Sequence, residues 1–97
     1  MKISITKRAQ TKLDEIYIYY AELGYGIKGR KIRAAILKRT LSLKTSPEMG
    51  QVDEHLRKKG RIRRYLVEKN YKILYRIEGK KIYITDIFDT RQNPDKM

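Results

Sequence analysis

Two hydrophobic periods divide the chain. Up to about residue 45 apolar side chains recur every three to four positions, and beyond about residue 61 they alternate with polar ones. The first few residues are a prelude in the second style. Lys2 to Ile5 alternates in β-branched company and predicts a short strand. Thr6 follows where a helix N-cap belongs, and a helix is expected from there to about Leu23. Ala9, Leu13, Ile16, Tyr20 and Leu23 share one face, with Tyr17 at its border, while Asp14, Glu15 and Glu22 fall outside it. Gly24 and Gly26 end that helix in a turn. A second helix is predicted from about Ile27 to Thr45, stopping before Pro47. Its apolar residues form two stripes. Ile32, Ile36 and Leu43 lie on one side and Ala34, Leu37 and Leu41 nearly opposite. A surface helix needs only one stripe, so this one is either wedged between two layers or keeps a side for a partner.

Pro47 to Gly60 reads as a charged loop carrying His55 and the run Arg57, Lys58, Lys59. Strands are predicted at Arg61–Glu68, Tyr71–Ile77 and Lys80–Phe88. They are joined by turns at Lys69-Asn70 and Glu78-Gly79. The polar ending TRQNPDKM runs off the sheet. The order β-α-α-β-β-β predicts an α+β domain spanning 1–97, a helical hairpin packed on one face of an antiparallel sheet.

Alternation then sorts the strand residues. Ile62, Leu66, Tyr71, Ile73, Tyr75, Ile77, Ile82, Ile84 and Phe88 are assigned to the core side. Arg64 falls there too and needs an acidic or carbonyl partner. The outer face receives Arg61, Arg63, Tyr65, Val67, Lys72, Leu74, Arg76, Lys81, Tyr83, Thr85 and Asp89, with Arg91 continuing the row. Guanidinium groups grip phosphates in pairs of hydrogen bonds and tyrosine rings stack on unpaired bases, so this mixture suits single-stranded RNA. Asp86 is assigned inward with Arg64 as its partner, in preference to a metal carboxylate pair with Asp89.

Charge sharpens the picture. Among 97 residues, 24 Lys and Arg oppose 11 Asp and Glu, a net +13, which points to a polyanion or an acidic protein partner. The excess sits late. Residues 1–24 carry four basic and three acidic groups, 25–60 ten and three, and 61–97 ten and five. There is no cysteine, and one histidine, so thiolate chemistry, disulfides and histidine-based metal sites are excluded and no cofactor is expected. No apolar run approaches the roughly 18 residues of a membrane span. The start MKISITKRAQ lacks a signal peptide's apolar segment, so a cytoplasmic protein is expected.

In order and spacing these pieces resemble the RelE/ParE superfamily of toxins from type II toxin–antitoxin, or plasmid stabilisation, systems. The features that carry the resemblance are Leu13-Asp14-Glu15-Ile16-Tyr17, Ser46-Pro47-Glu48-Met49-Gly50 and Arg64-Tyr65-Leu66-Val67. The hairpin Asn70 to Ile77 and the ending Ile87-Phe88-Asp89-Thr90-Arg91-Gln92-Asn93-Pro94 complete them. The resemblance implies the same β-α-α-β-β-β fold and a small acidic antitoxin forming a hetero-oligomer with the chain. Ile18 and Tyr19, off the core stripe, are candidates for its surface. It also implies one of two activities. RelE-like toxins are endoribonucleases (mRNA interferases) that cleave mRNA on the ribosome, using the RNA's own 2′-OH as nucleophile. Matched to that motif, Arg63, Tyr65, Lys72 and Arg91 are the catalytic candidates. Arg61, Arg76, Lys81 and Tyr83, placed on the outer face by alternation alone, are the candidates for binding the nucleic acid. The C-terminal tyrosine or histidine of many such nucleases has no match here; Asp89 stands where several relatives carry histidine. The expectation leans to mRNA cleavage. The alternatives are a ParE-like inhibitor of DNA gyrase without nuclease activity, or a non-toxic nucleic-acid-binding relative.

Overall fold

The computed structural model describes residues 1–54 and 62–91. Strand β1 (Lys2–Ile5) leads through Thr6 into α1 (Lys7–Glu22). The Thr6 hydroxyl accepts the Ala9 N–H at 3.3 Å, capping the helix, and donates to the Ile84 carbonyl at 2.9 Å, tying the cap to the sheet. At the other end the Tyr25 N–H reaches the Tyr20 carbonyl and the Gly24 N–H that of Ala21, the paired bonds of a Schellman turn. Gly24 has φ +85°, a conformation that glycine adopts without penalty. Helix α2 (Gly26–Leu41) returns antiparallel and tightens into a short 3₁₀ turn, Ser42–Lys44. The two helices touch closely at Gly29, where a Cβ would lie 2.8 Å from the Tyr20 Cβ.

Strands β2 (Gln51–Val52), β3 (Arg64–Glu68), β4 (Tyr71–Glu78) and β5 (Lys81–Asp89) complete a five-stranded sheet in the order β1-β5-β4-β3-β2. The sheet is mixed, because β1 pairs with β5 in parallel, so the wholly antiparallel sheet of the sequence reading is corrected at that edge. The rest is antiparallel. Strand β2 lies inside the segment expected as loop. The two residues Gln51 and Val52 are too few to show a period, and they pair with Tyr65 and Arg64. The β4–β5 turn falls at Gly79-Lys80, one residue later than expected, since Glu78 pairs with Lys81.

The core lies between the helices and one sheet face. It is built from Ala9, Leu13 and Ile16 of α1, Ile32 and Ile36 of α2, Leu43, and Leu66, Tyr71, Ile73, Tyr75, Ile82, Ile84 and Ile87 of the sheet. Burying each large aliphatic side chain of this set is worth roughly 1.5–3 kcal/mol. Three of the core-side assignments fail. Leu23 is exposed, beyond the last turn of α1. Ile62 precedes β3 and is 69% exposed. Phe88 yields its core place to Ile87.

That last exchange has a definite cause. Tyr75 pairs with Ile84 but Leu74 pairs with Asp86, so Thr85 is an extra residue, a β-bulge, whose hydroxyl donates to the Leu74 carbonyl at 3.3 Å. From there on β5 is out of phase with strict alternation. Ile87 opposes Ile73, Phe88 opposes Lys72, and Asp89 opposes Tyr71. No helix among the described residues is long and apolar enough to cross a membrane.

Candidate functional site

The outer face of β3 and β4 holds part of the expected basic constellation. Tyr65 and Lys72 project there, with the Lys72 amine 4.0 Å from the centre of the Tyr65 ring and 5.8 Å from that of Phe88. The same amine lies 3.7 Å from a carboxylate oxygen of Asp53, which is buried just past β2. The Tyr65 hydroxyl donates to the Gln51 side-chain oxygen at 2.8 Å. Along the face, Arg76 stacks 4.5 Å from the Tyr83 ring and donates to Glu78 at 2.7 Å, while Lys81 lies 5.4 Å from the same ring. Arg63 precedes β3, half-buried, and its guanidinium reaches the Ile62 carbonyl at 3.4 Å. Arg61, His55 and the basic run 57–59 lie outside the described residues.

This face differs in character from the one expected. Lys72 and Arg76 each have a carboxylate partner, and one side of each tyrosine ring is already covered by a cation. Such cation–π contacts are worth about 0.5–1 kcal/mol where exposed, and a base stacking there would compete with them. Leu74, expected among the outward residues, is only 6% exposed.

Arg91 belongs to a different place. Because the bulge shifts the phase of β5, Asp89 emerges opposite Tyr71, a core residue. Arg91 curls back on Asp89 with a two-pronged contact, 2.6 Å at its closest, and its backbone N–H reaches the same carboxylate at 2.8 Å. The Arg91 guanidinium holds the Asp89 carboxyl down at about 2 against burial, which pushes the other way. Burial, with the Tyr20 hydroxyl next in weight, pushes the Tyr71 phenol up. Asp89 in turn raises the Arg91 guanidinium, with Tyr20 adding to the effect. Arg91 therefore sits on the helix side, beside Tyr20 of α1, and the expected outer row of Arg63, Lys72 and Arg91 is not assembled. Next to it a cleft of about 330 Å³ opens between α1 and the end of β5, bounded by Lys12, Tyr19, Tyr71, Phe88 and Asp89.

Two further assignments are revised. Asp86 does not meet Arg64. It binds Arg8 at 3.3 Å and Lys12 at 3.7 Å, both from α1, and accepts the Ile87 N–H at 2.8 Å. Arg64 finds carbonyl partners instead, Gly50 at 3.0 Å and Glu48 at 3.4 Å. Sequence reasoning also missed how Ser46-Pro47-Glu48-Met49-Gly50 works. The fully buried Tyr75 hydroxyl accepts the Gly50 N–H at 2.9 Å and donates to the Pro47 carbonyl at 2.8 Å. A Cβ on Gly50 would lie 2.5 Å from that hydroxyl. The motif is a backbone clamp that places β2, and with it Asp53, beside Lys72. The signal for it was present as a buried-strand tyrosine and a glycine, which spacing alone does not connect.

Comparison with known proteins agrees with this architecture. Residues 3–94 match the family model of the ParE toxin of the type II toxin–antitoxin system parDE. Among solved structures, a chain of the chromosomal ParDE toxin–antitoxin system from P. aeruginosa superposes with a TM-score of 0.73 at 25% identity, over 92% of this chain and 95% of that one. No curated protein sequence matches significantly. The chain belongs to the ParE toxin family of type II toxin–antitoxin systems.

Proposed function

Because the chain is a ParE-family toxin, we propose that it acts as a protein inhibitor of DNA gyrase, held inactive by a cognate acidic antitoxin, and not as an mRNA-cleaving nuclease. The observation that carries the choice is the position of Arg91. RNA cleavage through the 2′-OH needs a base, a proton donor and a preorganised cation converging on one phosphate. Here the guanidinium assigned to the phosphate is turned to the helix side and neutralised by Asp89, and Lys72 is paired with Asp53. The family match supports the same branch. Mutation tests the choice directly. The triple variant Arg63→Ala, Lys72→Ala, Arg91→Ala, induced without antitoxin, is expected to arrest growth as the wild type does. Loss of toxicity with the fold intact would return the reading to the nuclease.

A further inference from the structure

We infer that the exposed face of α2 is a phosphate-binding surface that lays the chain along duplex DNA without reading its sequence. The inference rests on the gyrase reading, since an inhibitor of gyrase acts where that enzyme holds a duplex. The ion pairs of the molecule locate its surplus charge. Lys72 is paired with Asp53, Arg76 with Glu78 and Arg91 with Asp89, while Arg8 and Lys12 share Asp86. Within α2, Arg33 is paired with Asp14, and Lys28 lies 5.6 Å from the centre of the Tyr20 ring. Arg30, Lys31 and Lys38 are exposed and have no carboxylate at ion-pairing distance among the described residues.

These three cations share one side of the helix. With about 100° of turn per residue, Arg30, Ala34, Lys38 and Lys31 fall within a single arc of about 100°, opposite the buried Ile32 and Ile36. Arg30 and Lys38 stand about 12 Å apart along the axis with Ala34 midway, whose single methyl leaves room for a phosphate backbone between them. The helix holds six cations and no acid. Lys28 and Lys31, and likewise Arg30 and Arg33, are like charges three residues apart, which destabilises a helix. Lys28 also stands in the first turn, where the helix dipole disfavours a cation. A row of fixed anions offsets both costs, and a local rule broken in this way marks a functional surface. Duplex DNA carries a charge every ~1.7 Å of its axis, so it meets the whole row in any register. A tightly bound acidic protein would need a large side chain buried at the centre of the contact, and the centre here is Ala34. A second copy of the chain would bring like charge against like.

Salt titration of DNA binding tests this. The full chain is bound to short duplexes of two unrelated sequences, and affinity is read by fluorescence anisotropy over a range of salt. Each cation–phosphate contact adds about 0.9 to the slope of log affinity against log salt. Arg30→Gln, Lys31→Gln and Lys38→Gln together are expected to make the slope shallower by about 2.7 on both duplexes. Glutamine is a good helix former, so the thermal midpoint should be no lower than that of the wild type. The control Lys2→Gln, Lys7→Gln, Lys80→Gln removes the same charge from exposed positions outside α2 and is expected to leave the slope unchanged. Absence of DNA binding, a slope that the α2 variant leaves intact, or an equal loss in the control overturns the surface. Poly-glutamate held more tightly than either duplex through the same three residues overturns it in favour of an acidic protein. Wild-type chain that binds DNA with the expected slope yet leaves gyrase supercoiling untouched overturns the gyrase reading and leaves the surface standing.

Discussion

Replacing Gly50 by alanine is expected to cost far more than one methyl group. The new Cβ would lie 2.5 Å from the Tyr75 hydroxyl, 2.7 Å from its ring and 2.8 Å from the Tyr65 carbonyl. Tyr75 is fully buried, so its ring has no solvent to swing into, and the carbonyl belongs to a paired strand. Relief requires the 46–50 segment to move away, which breaks the bonds from the Gly50 N–H and to the Pro47 carbonyl. Overpacking of this kind costs ~1–3 kcal/mol and two neutral hydrogen bonds ~1 kcal/mol each, so about 3–5 kcal/mol in total. A domain of this size has about 5–15 kcal/mol of stability in all, so the variant should unfold at far lower urea concentration with an unchanged slope. Tyr75→Phe should cost about 1–2 kcal/mol through the unpaired Gly50 N–H. The double variant should cost less than the two singles together, because phenylalanine removes the nearest clashing atom. Strict additivity, or a Gly50→Ala loss below about 0.5 kcal/mol, would refute the clamp.

Asp86→Ala should destabilise by about 2–3 kcal/mol in urea unfolding, since it strands the Ile87 N–H and removes the partner of Arg8 and Lys12. Arg8→Ala, with an exposed head, should cost under about 1 kcal/mol. The Asp89 carboxyl titrates lower in the folded chain than in the unfolded one, so its contribution is present above about pH 4 and lost as pH falls toward 2. The stability gap between wild type and Asp89→Asn should accordingly narrow over that acid range and stay constant above about pH 5, and a gap unchanged down to pH 2 contradicts the pairing. The Tyr71 phenol is shifted the other way, so the folded state holds its proton more tightly and stability should decline above about pH 10. Absorbance titration of Tyr71→Phe against wild type reads that group directly.

Much of the fold was legible because its periods are long and unbroken. The Thr6 cap, the face of Ala9, Leu13 and Ile16, and the alternation of Tyr71, Ile73 and Tyr75 each follow from local rules, and the structure repeats them. The candidate site was legible only as far as the period held. One inserted residue, Thr85, leaves no mark on composition, yet it moves Asp89 and Arg91 from the outer face to the helix side. Assigning them outward by parity was sound up to Ile84 and wrong after it. The parallel edge escaped for a related reason. The antiparallel order came from hairpin turns, and β1 reaches β5 through the tertiary fold with no turn to announce it. The two stripes of α2, by contrast, were visible in sequence and needed the structure only to show that Ala34 and Leu41 remain uncovered.

The central claim is that toxicity acts on DNA topology and not on message. Purified chain should be added, in parallel, to DNA gyrase supercoiling a relaxed plasmid and to ribosomes translating a defined mRNA. The account predicts that supercoiling stops at chain concentrations that leave the mRNA uncut and translation unchanged, and that Arg63→Ala, Lys72→Ala, Arg91→Ala gives the same result. Cleaved mRNA on the ribosome with supercoiling unaffected, abolished by that triple variant, would contradict it.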